Sequence, residues 1–304
     1  MDGPILTVRD LVKSYRSVIA VDGISFDIAV GEVFGLLGPN GAGKTTTLEC
    51  IEGLRTPSSG EIVVDGLHPI RDRRALRRVL GVQLQSSALP EVMLVEEAMR
   101  LVSAWHGVER RDDLMEGFGL DELARRQYGI LSTGQKRRLQ LALALCGDPR
   151  IVILDEPTAG VDVQGRAELH AAIRALVNDG VTVILATHDM AEAEALCDRI
   201  AILVGGRLAT LGTAEQITAA GRGDTRITVR TRDGSLIGQG GATQAVFQRE
   251  SEGFAQWLCR DTAPAVMELL SVAIAAEDDV EDLRVERPSL EERFLELVSG
   301  EDNR

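Results

Sequence analysis

The sequence predicts an α/β protein with a mainly parallel central β-sheet, followed by a smaller α+β unit. Short apolar runs alternate with helical patterns over the first two-thirds of the 304 residues, which is typical of parallel-sheet folds. Two of these runs, at residues 151–154 and 181–186, are apolar almost throughout, as in strands that are covered on both faces. Near residue 218 the composition changes, and a small, polar, Gly-containing stretch interrupts the alternation.

The individual elements follow from these patterns. The predicted strands are Ile5–Val8, Val33–Leu37, Glu61–Val64, Val79–Leu84, Ile151–Leu154, Val181–Ala186 and Ile200–Val204. Helical patterns cover residues 45–54, 136–145 and 163–178. After the linker at residues 219–224, residues 225–230 alternate like a half-buried strand, and a capping box at Ser289 and Glu292 opens a final amphipathic helix.

Composition and charge narrow the class of protein. Charged residues make up 26% of the chain and apolar residues 44%, as in ordinary globular proteins. The net charge of −14 argues against a broad nucleic-acid-binding face, so we expect no nucleic-acid partner. Two local basic runs, Arg71–Arg78 and Lys136–Arg138, are interpreted as solvated helix faces.

Targeting signals and cysteine usage indicate the compartment. No apolar stretch approaches 18 residues, and the first residues lack the pattern of a signal peptide. The four cysteines are far apart and form no C-x-x-C pair. We therefore expect a soluble protein of the reducing cytoplasm.

One motif predicts the ligand class. The chain matches the phosphate-binding pattern G-x-x-x-x-G-K-[ST] with Gly38, Pro39, Asn40, Gly41, Ala42, Gly43, Lys44 and Thr45. Backbone N–H groups of such a loop converge on phosphate oxygens, and the following helix adds its positive N-terminal end. Lys44 would reach the β- and γ-phosphates, the Thr45 hydroxyl would hold Mg²⁺, and Thr46 completes the predicted binding segment.

An acidic pair follows the predicted strand at residues 151–154. Asp155 would hold Mg²⁺ through water, and Glu156 would orient or deprotonate the water that attacks the γ-phosphate. An ordinary pair of helix-capping acids is the alternative, but the phosphate loop upstream favours catalysis. The sequence therefore predicts nucleotide hydrolysis.

A second anion-binding element stands about twenty residues before this pair. Leu131-Ser132-Thr133-Gly134-Gln135 leads into a basic and then apolar helix, with Ser132 as a good N-cap. With this string in place, the chain resembles the nucleotide-binding subunits of ATP-binding cassette (ABC) proteins, whose signature sequence is Leu-Ser-Gly-Gly-Gln. The resemblance covers residues 5–217. It implies a P-loop NTPase cassette with an antiparallel β part near the N-terminus and a helical signature subdomain.

The resemblance also implies roles for residues that mean little alone. Tyr15 matches the aromatic residue that stacks on adenine, and His188 matches the switch histidine that contacts the γ-phosphate. Gln85 matches the glutamine that senses Mg²⁺ and the γ-phosphate and couples to the membrane partner; Gln83 is disfavoured because it falls within a strand. Asp162 matches the loop that contacts the other subunit.

In this family two cassettes sandwich two ATP molecules head to tail, so the resemblance implies a homodimer. Ser132, Gly134 and Gln135 of one copy would then close on ATP that is held by the phosphate loop of the other. The departure from the family pattern is Thr133, where glycine is usual. If that position required a positive φ, a β-branched residue would be strained there and closure on ATP would be weakened or tuned.

The last residues, from Glu286 to Leu297, resemble the ending of cassette subunits from bacterial drug and antibiotic exporters. We therefore predict an ABC domain over residues 1–220, an accessory domain over 221–304, and an ATPase that energises export. Its pathway would lie in a separate integral-membrane permease, so we expect the chain on the cytoplasmic face of the membrane. For the ending, a generic amphipathic packing helix is the alternative.

Other functions remain open at this stage. A soluble ABC ATPase of repair, translation or regulation is the main alternative, although no second cassette, coiled coil or zinc module is visible. A regulatory protein that binds nucleotide without turnover is disfavoured by Glu156 and His188. A GTPase is disfavoured because the chain has no N-K-x-D string.

Overall fold

The computed structural model describes residues 3–83, 89–220, 225–238, 243–286 and 289–301. The chain divides into two compact units, the first up to Thr213 and the second over Ala214–Gly300. The division falls before the predicted boundary between residues 220 and 221, and the domain assignment itself stays a prediction. In the described residues no helix is both long and apolar enough to cross a membrane.

The first unit is built on a mainly parallel six-stranded sheet. Its strands are β3 (Val33–Leu37), β5 (Leu80–Gln83), β6 (Ile151–Asp155), β7 (Thr182–Thr187), β8 (Arg199–Val204) and β9 (Arg207–Gly212). The strand order is β5-β6-β7-β3-β8-β9, and only the pairing of β8 with β9 is antiparallel. This sheet carries the predicted apolar strands, and β3, β6 and β7 are buried almost throughout. The predicted α/β class is confirmed.

An antiparallel three-stranded sheet forms the N-terminal part. Its strands are β1 (Leu6–Tyr15), β2 (Val18–Ile28) and β4 (Ser59–Val64), in the order β2-β1-β4. Its inner residues and one face of the central sheet share an apolar core, in which the rings of Phe26 and Phe34 stack at 5.1 Å. Stacked rings and aliphatic burial of this kind fix the two sheets against each other.

Helices cover the central sheet and form a separate helical part. They are α1 (Lys44–Ile51), α2 (Arg73–Val79), α3 (Val95–His106), α4 (Asp112–Gly117), α5 (Thr133–Leu145), α6 (Val163–Asn178) and α7 (Met190–Leu196), whereas α8 (Ala214–Ala219) begins the second unit. Helices α3, α4 and α5 enclose their own apolar core around Met99, Leu120 and Leu139. This cluster is the helical signature part that the resemblance implied.

The second unit is an α+β structure. Its strands are β10 (Thr225–Thr231), β11 (Val246–Ser251), β12 (Phe254–Cys259) and β13 (Val280–Glu286), in the antiparallel order β11-β12-β10-β13. Helix α9 (Thr262–Ala275) packs Leu269 against a core centred on Trp257, which is 1% exposed. Helix α10 (Leu290–Glu301) ends the described chain.

Candidate nucleotide site

The phosphate loop lies between β3 and α1, and its glycines meet two different demands. Gly41 and Gly43 have φ of +83° and +99°, a conformation that favours glycine. A Cβ on Gly43 would stand 2.5 Å from the carbonyl oxygen of Ala20. A Cβ on Gly38 would stand 2.5 Å from the carbonyl oxygen of Leu203, so this position requires close approach of two backbones.

Lys44 is the first residue of α1 and is only 7% exposed. Its Nζ donates to the carbonyl oxygens of Gly38, at 2.5 Å, and Pro39, at 3.2 Å. Burial lowers the pKa of the Lys44 ammonium, while Glu156 and Asp155 pull it upward. The ammonium is thus held inside the curve of the loop, and its carbonyl partners are groups that a phosphate oxygen could replace.

A cavity of about 350 Å³ brings the predicted residues together. It is lined by Tyr15, Ala20, every residue of Pro39–Thr46, Asp155 and Glu156. Three distant segments of the chain, namely the β1–β2 hairpin, the phosphate loop and the end of β6, therefore meet beside the carboxyl ends of the parallel strands, where α/β sheets bind ligands. Ala20 was missed by the sequence reasoning, because a small residue in an unpredicted strand gives no signal.

Tyr15 stands at the end of β1 and is 36% exposed. The Nζ of Lys13 lies 5.1 Å from its ring centroid, and the Arg55 guanidinium carbon lies 5.8 Å away. The ring is thus partly accessible at one side of the cavity. It is placed where a planar base could stack on it.

The acidic pair follows β6. Asp155 is half-buried, and burial together with the neighbouring Glu156 raises its pKa, against the opposing charges of Lys44 and Arg137. Thr45 and Asp155 line the same cavity and offer the hard oxygen ligands that Mg²⁺ prefers. Across the described ranges no cluster of three acidic, histidine or cysteine side chains could hold a metal. One carboxylate and one hydroxyl fit Mg²⁺ that also binds substrate phosphates.

Glu156 and His188 are in direct contact. The Oε1 atom of Glu156 lies 2.6 Å from Nδ1 of His188, and the Glu156 carboxylate is nearly buried while the imidazole is 62% exposed. Glu156 has a φ of +51°, which is uncommon for a residue other than glycine. The strands β6 and β7 end side by side, so the geometry brings together the two residues that the sequence singled out.

The signature residues form the start of α5. Ser132 Oγ accepts a hydrogen bond from the Gln135 backbone N–H at 3.2 Å, and Gln135 Oε1 accepts one from the Ser132 N–H at 3.0 Å. This reciprocal capping box satisfies the N–H of Gln135, whereas the N–H groups of Thr133 and Gly134 have no partner within the helix. Thr133 is the first helical residue and has no positive φ, so the strain considered for it is not present.

Asp162 begins α6 in a similar way, because its Oδ1 accepts a hydrogen bond from the Gly165 N–H at 2.7 Å. Ser132, Gly134, Gln135 and Asp162 are not part of the described lining of the cavity around Lys44. Within one chain the predicted residues therefore fall into two groups, one that lines the cavity around Lys44 and one at the starts of α5 and α6. Gln85 lies outside the described residues, whereas Gln83 is a buried residue of β5.

Fold and cavity together define a P-loop nucleotide-binding ATPase cassette. The family model described as ABC transporter matches residues 21–159. The daunorubicin resistance ATP-binding protein DrrA3 of Streptomyces coeruleorubidus is 35% identical over 98% of this chain and 97% of its own length. The linearmycin resistance ATP-binding protein LnrL of Bacillus subtilis is 33% identical over 97% of this chain and 98% of its own.

Solved structures of ATP-binding cassettes are also similar to this chain. An ATP-binding subunit of an ABC transporter is 29% identical, with a TM-score of 0.65 over 70% of this chain and 91% of that one. A dimeric ATP-binding cassette in a post-hydrolysis state, bound to ADP and Pi, is 25% identical, with a TM-score of 0.63 over 68% of this chain and 98% of that one.

The chain belongs to the ABC transporter family. It is an ATP-binding and ATP-hydrolysing subunit, homologous to drug and antibiotic resistance ATP-binding proteins. This confirms the predicted enzyme class and favours a transporter subunit over the non-transport ATPase that the sequence alone had left open.

Proposed function

We propose that this chain energises the export of a drug, an antibiotic or another hydrophobic compound through a separate membrane subunit. The observation that carries the proposal is the similarity to two resistance ATP-binding proteins over 97% or more of this chain, which includes the second unit. The resistance named for those relatives supports a hydrophobic cargo. The cargo itself would bind in the membrane subunit.

The residues of the cavity have distinct proposed roles. The loop from Gly38 to Lys44 binds the phosphates through its N–H groups and the Lys44 ammonium. Tyr15 stacks on the adenine base. Thr45, Asp155 and Gln85 hold Mg²⁺, which when bound neutralises charge on the phosphates.

Glu156 is the proposed general base. Its Oε1 lies 2.6 Å from His188 Nδ1, so the imidazole fixes the direction of the carboxylate. The carboxylate is 9% exposed, which keeps solvent from competing with the single water that it orients. His188 contributes contact with the phosphate, and Glu156 takes the proton of the attacking water.

We also propose that two copies complete each site. Ser132, Gly134, Gln135 and Asp162 would contact ATP held on the partner copy. Two features support this: they are absent from the described lining of the cavity around Lys44, and the first N–H groups of α5, which have no partner within the helix, can donate to an anion. ATP would join the copies, and hydrolysis would remove the γ-phosphate that joins them.

An apolar groove is the proposed docking surface for the membrane subunit. It has a volume of about 360 Å³ between α2, β5, α3 and α5. Leu54 and Trp105, which line it, are each 63% exposed, so apolar surface at the groove is accessible to a partner. Docking here would hold the chain on the cytoplasmic face of the membrane.

The experiment is co-purification of the tagged chain from native membranes, followed by reconstitution of the complex in lipid vesicles. We expect a membrane protein to co-purify, and hydrophobic compounds to stimulate ATP hydrolysis in the complex. The matched control is the complex that carries Glu156→Gln. Co-purification with ribosomes or DNA instead, with no membrane protein, would contradict the proposal and favour the non-transport alternative.

A further inference from the structure

A second cavity shares Glu156 with the nucleotide cavity. It has a volume of about 210 Å³ and a mostly polar lining. Its side chains include Glu156, Thr158, Arg166, His188, Asp189 and Glu192. The roles proposed above use Glu156 and His188 and leave Thr158 and Glu192 without a function.

Glu192 is a buried carboxylate on α7, only 1% exposed. Its Oε1 accepts a hydrogen bond from the Thr158 hydroxyl at 2.8 Å. The Nε2 of His170 lies 3.7 Å from the same oxygen, which is too long for a hydrogen bond. Burying a carboxylate costs free energy unless the carboxylate is hydrogen-bonded or paired. Apolar packing alone therefore does not explain Glu192, and the hydrogen bond from Thr158 offsets part of that cost.

Thr158 belongs to the turn that carries Glu156. In this turn the Ala159 N–H donates to the Glu156 carbonyl at 3.2 Å, and the Val161 N–H donates to the Thr158 carbonyl at 3.0 Å. Glu156 has a φ of +51°, and a backbone of this kind persists only where its surroundings hold it. The hydrogen bond to Glu192 is a side-chain anchor for this strained turn.

The other end of the network is the histidine that contacts Glu156. His188 is followed by Asp189, whose Oδ1 accepts a hydrogen bond from the Glu192 N–H at 3.1 Å. Asp189 Oδ2 also accepts one from Arg166 at 3.0 Å. Three hydrogen bonds and the backbone therefore form a closed ring, from Glu156 through His188, Asp189, Glu192 and Thr158 back to Glu156.

We propose that Glu192 is a positioning residue for ATP hydrolysis, which acts through Thr158 on the direction of the Glu156 carboxylate. The ring fixes the turn after β6 against the start of α7, so that base and histidine move as one body. The inference rests on the proposed role of Glu156 as the general base. A displacement of about 1 Å at a reacting group can cost two orders of magnitude in rate, so a remote anchor can control turnover.

The test compares substitutions at both ends of the Thr158–Glu192 hydrogen bond in the full chain. Glu192→Ala and Thr158→Val remove it, whereas Thr158→Ser keeps the hydroxyl and Glu192→Gln keeps an accepting oxygen. The matched control is Glu194→Gln, an exposed carboxylate of the same helix. Steady-state kcat and KM for ATP are measured together with the thermal midpoint of each variant.

We expect Glu192→Ala and Thr158→Val each to lower kcat about tenfold or more, with KM within about threefold of the wild type. Thr158→Ser should restore most of the rate, Glu192→Gln should be intermediate, and Glu194→Gln should leave it unchanged. Because both residues serve one bond, the double variant should lose no more rate than the more impaired single variant.

Three results would overturn the inference. They are a wild-type kcat in both bond-removing variants, a lowered thermal midpoint with unchanged kcat, and losses that multiply in the double variant. Thr158→Val decides the matter if Glu192→Ala fails to fold. Glu156→Gln is assayed alongside: if it hydrolyses ATP normally, the proposed base itself is wrong, whereas an inactive Glu156→Gln with an active Thr158→Val contradicts only the positioning role.

Discussion

Glu156 combines three properties at one position. It has a left-handed backbone, its carboxylate is nearly buried, and it contacts His188 at 2.6 Å. A left-handed backbone costs on the order of 1–3 kcal/mol at a residue other than glycine, and exposed acids such as Asp10 and Asp148 share it. At the residue scale it is the combination with burial and the His188 contact that distinguishes the carboxylate to which we assign the chemistry.

Glu156→Gln tests this assignment most directly. The amide keeps the shape of the side chain but cannot accept the proton of the attacking water, so we expect kcat to fall at least about 10²-fold. ATP binding should persist, and the variant should form a stable dimer with ATP, measured by size-exclusion chromatography. Glu168→Gln, an exposed change on α6, is the control. Normal hydrolysis by Glu156→Gln would show that another group is the base.

Thr133 departs from the family signature, yet its backbone is helical and unstrained. Its γ-methyl stands 3.7 Å from the position that a Cβ on Gly160 would take, which is ordinary van der Waals contact. We expect Thr133→Gly to keep kcat and KM within about twofold and to lower stability by a few tenths of a kcal/mol, as helix propensities imply. A large gain in ATP-dependent dimerisation would instead show that threonine tunes closure.

At the scale of elements, the buried strands and α6 were the most predictable. The apolar run of β6 and the periodic residues of α6 were recognised because their own sequences carry the pattern, and α6 has the predicted bounds, Val163–Asn178. The strand that was predicted to begin at Val79 begins at Leu80, because Val79 is the last residue of α2. The helix predicted from Lys136 begins at Thr133, since the capping box extends it.

Two of the strands that were missed, β2 and β11, have weak patterns of their own. β2 contains Asp22, Gly23 and Asp27, and its register with β1 shifts several times, so no strict alternation is visible. β11 has almost no buried side chain. Both are stabilised by pairing with strands elsewhere in the sequence, and a local pattern cannot report such partners.

Glu52 lies at the end of α1, where burial disfavours its ionised carboxylate, and this predicts that the stability of the fold depends on pH. Burial, with Glu49 and Asp155 adding to it, raises the pKa of Glu52 to about 7 from its ordinary 4.5. Between these values the folded chain keeps a proton that the unfolded chain has released, so stability falls as pH rises through this window. The loss is at most about 3 kcal/mol.

Glu52→Gln should therefore raise the free energy of unfolding at pH 8, and the gain should shrink toward pH 4.5. Urea unfolding at several pH values measures it, with the exposed Glu61→Gln as control. A gain that is the same at every pH would contradict the prediction and point to packing instead of ionisation.

At the scale of the whole molecule, residues predicted from separate parts of the sequence lie together. The motifs at Lys44 and Asp155, and Tyr15, which the resemblance implied, line one cavity, because each ends or follows a strand of adjoining sheets. Thr158 and Glu192 were missed although Asp189 and Glu192 stand three apart, a capping spacing that is visible in the sequence. Their contact is between residues 34 positions apart, and only the fold brings them together.

Removal of residues 225–304 tests the prediction that the second unit serves partner or dimer contacts and that the first unit alone hydrolyses ATP. The first unit has its own apolar cores and the complete lining of the nucleotide cavity, whereas Trp257 and its neighbours form a core confined to the second. We expect the shortened chain to fold and to hydrolyse ATP within about threefold of the full chain, as an independent compact unit should.

Transport should nevertheless be lost, because we predict that the second unit adds partner or dimer contacts to those proposed for the apolar groove and for the starts of α5 and α6. The measurement is cargo uptake into vesicles that contain the membrane subunit, with co-purification and ATP hydrolysis scored on the same samples. A chain shortened only by residues 289–304, which lacks α10, separates the role of this helix from that of the β10–β13 sheet. Full transport by the chain that lacks residues 225–304 would refute the assignment, and lost hydrolysis would mean that the first unit depends on the second for its fold.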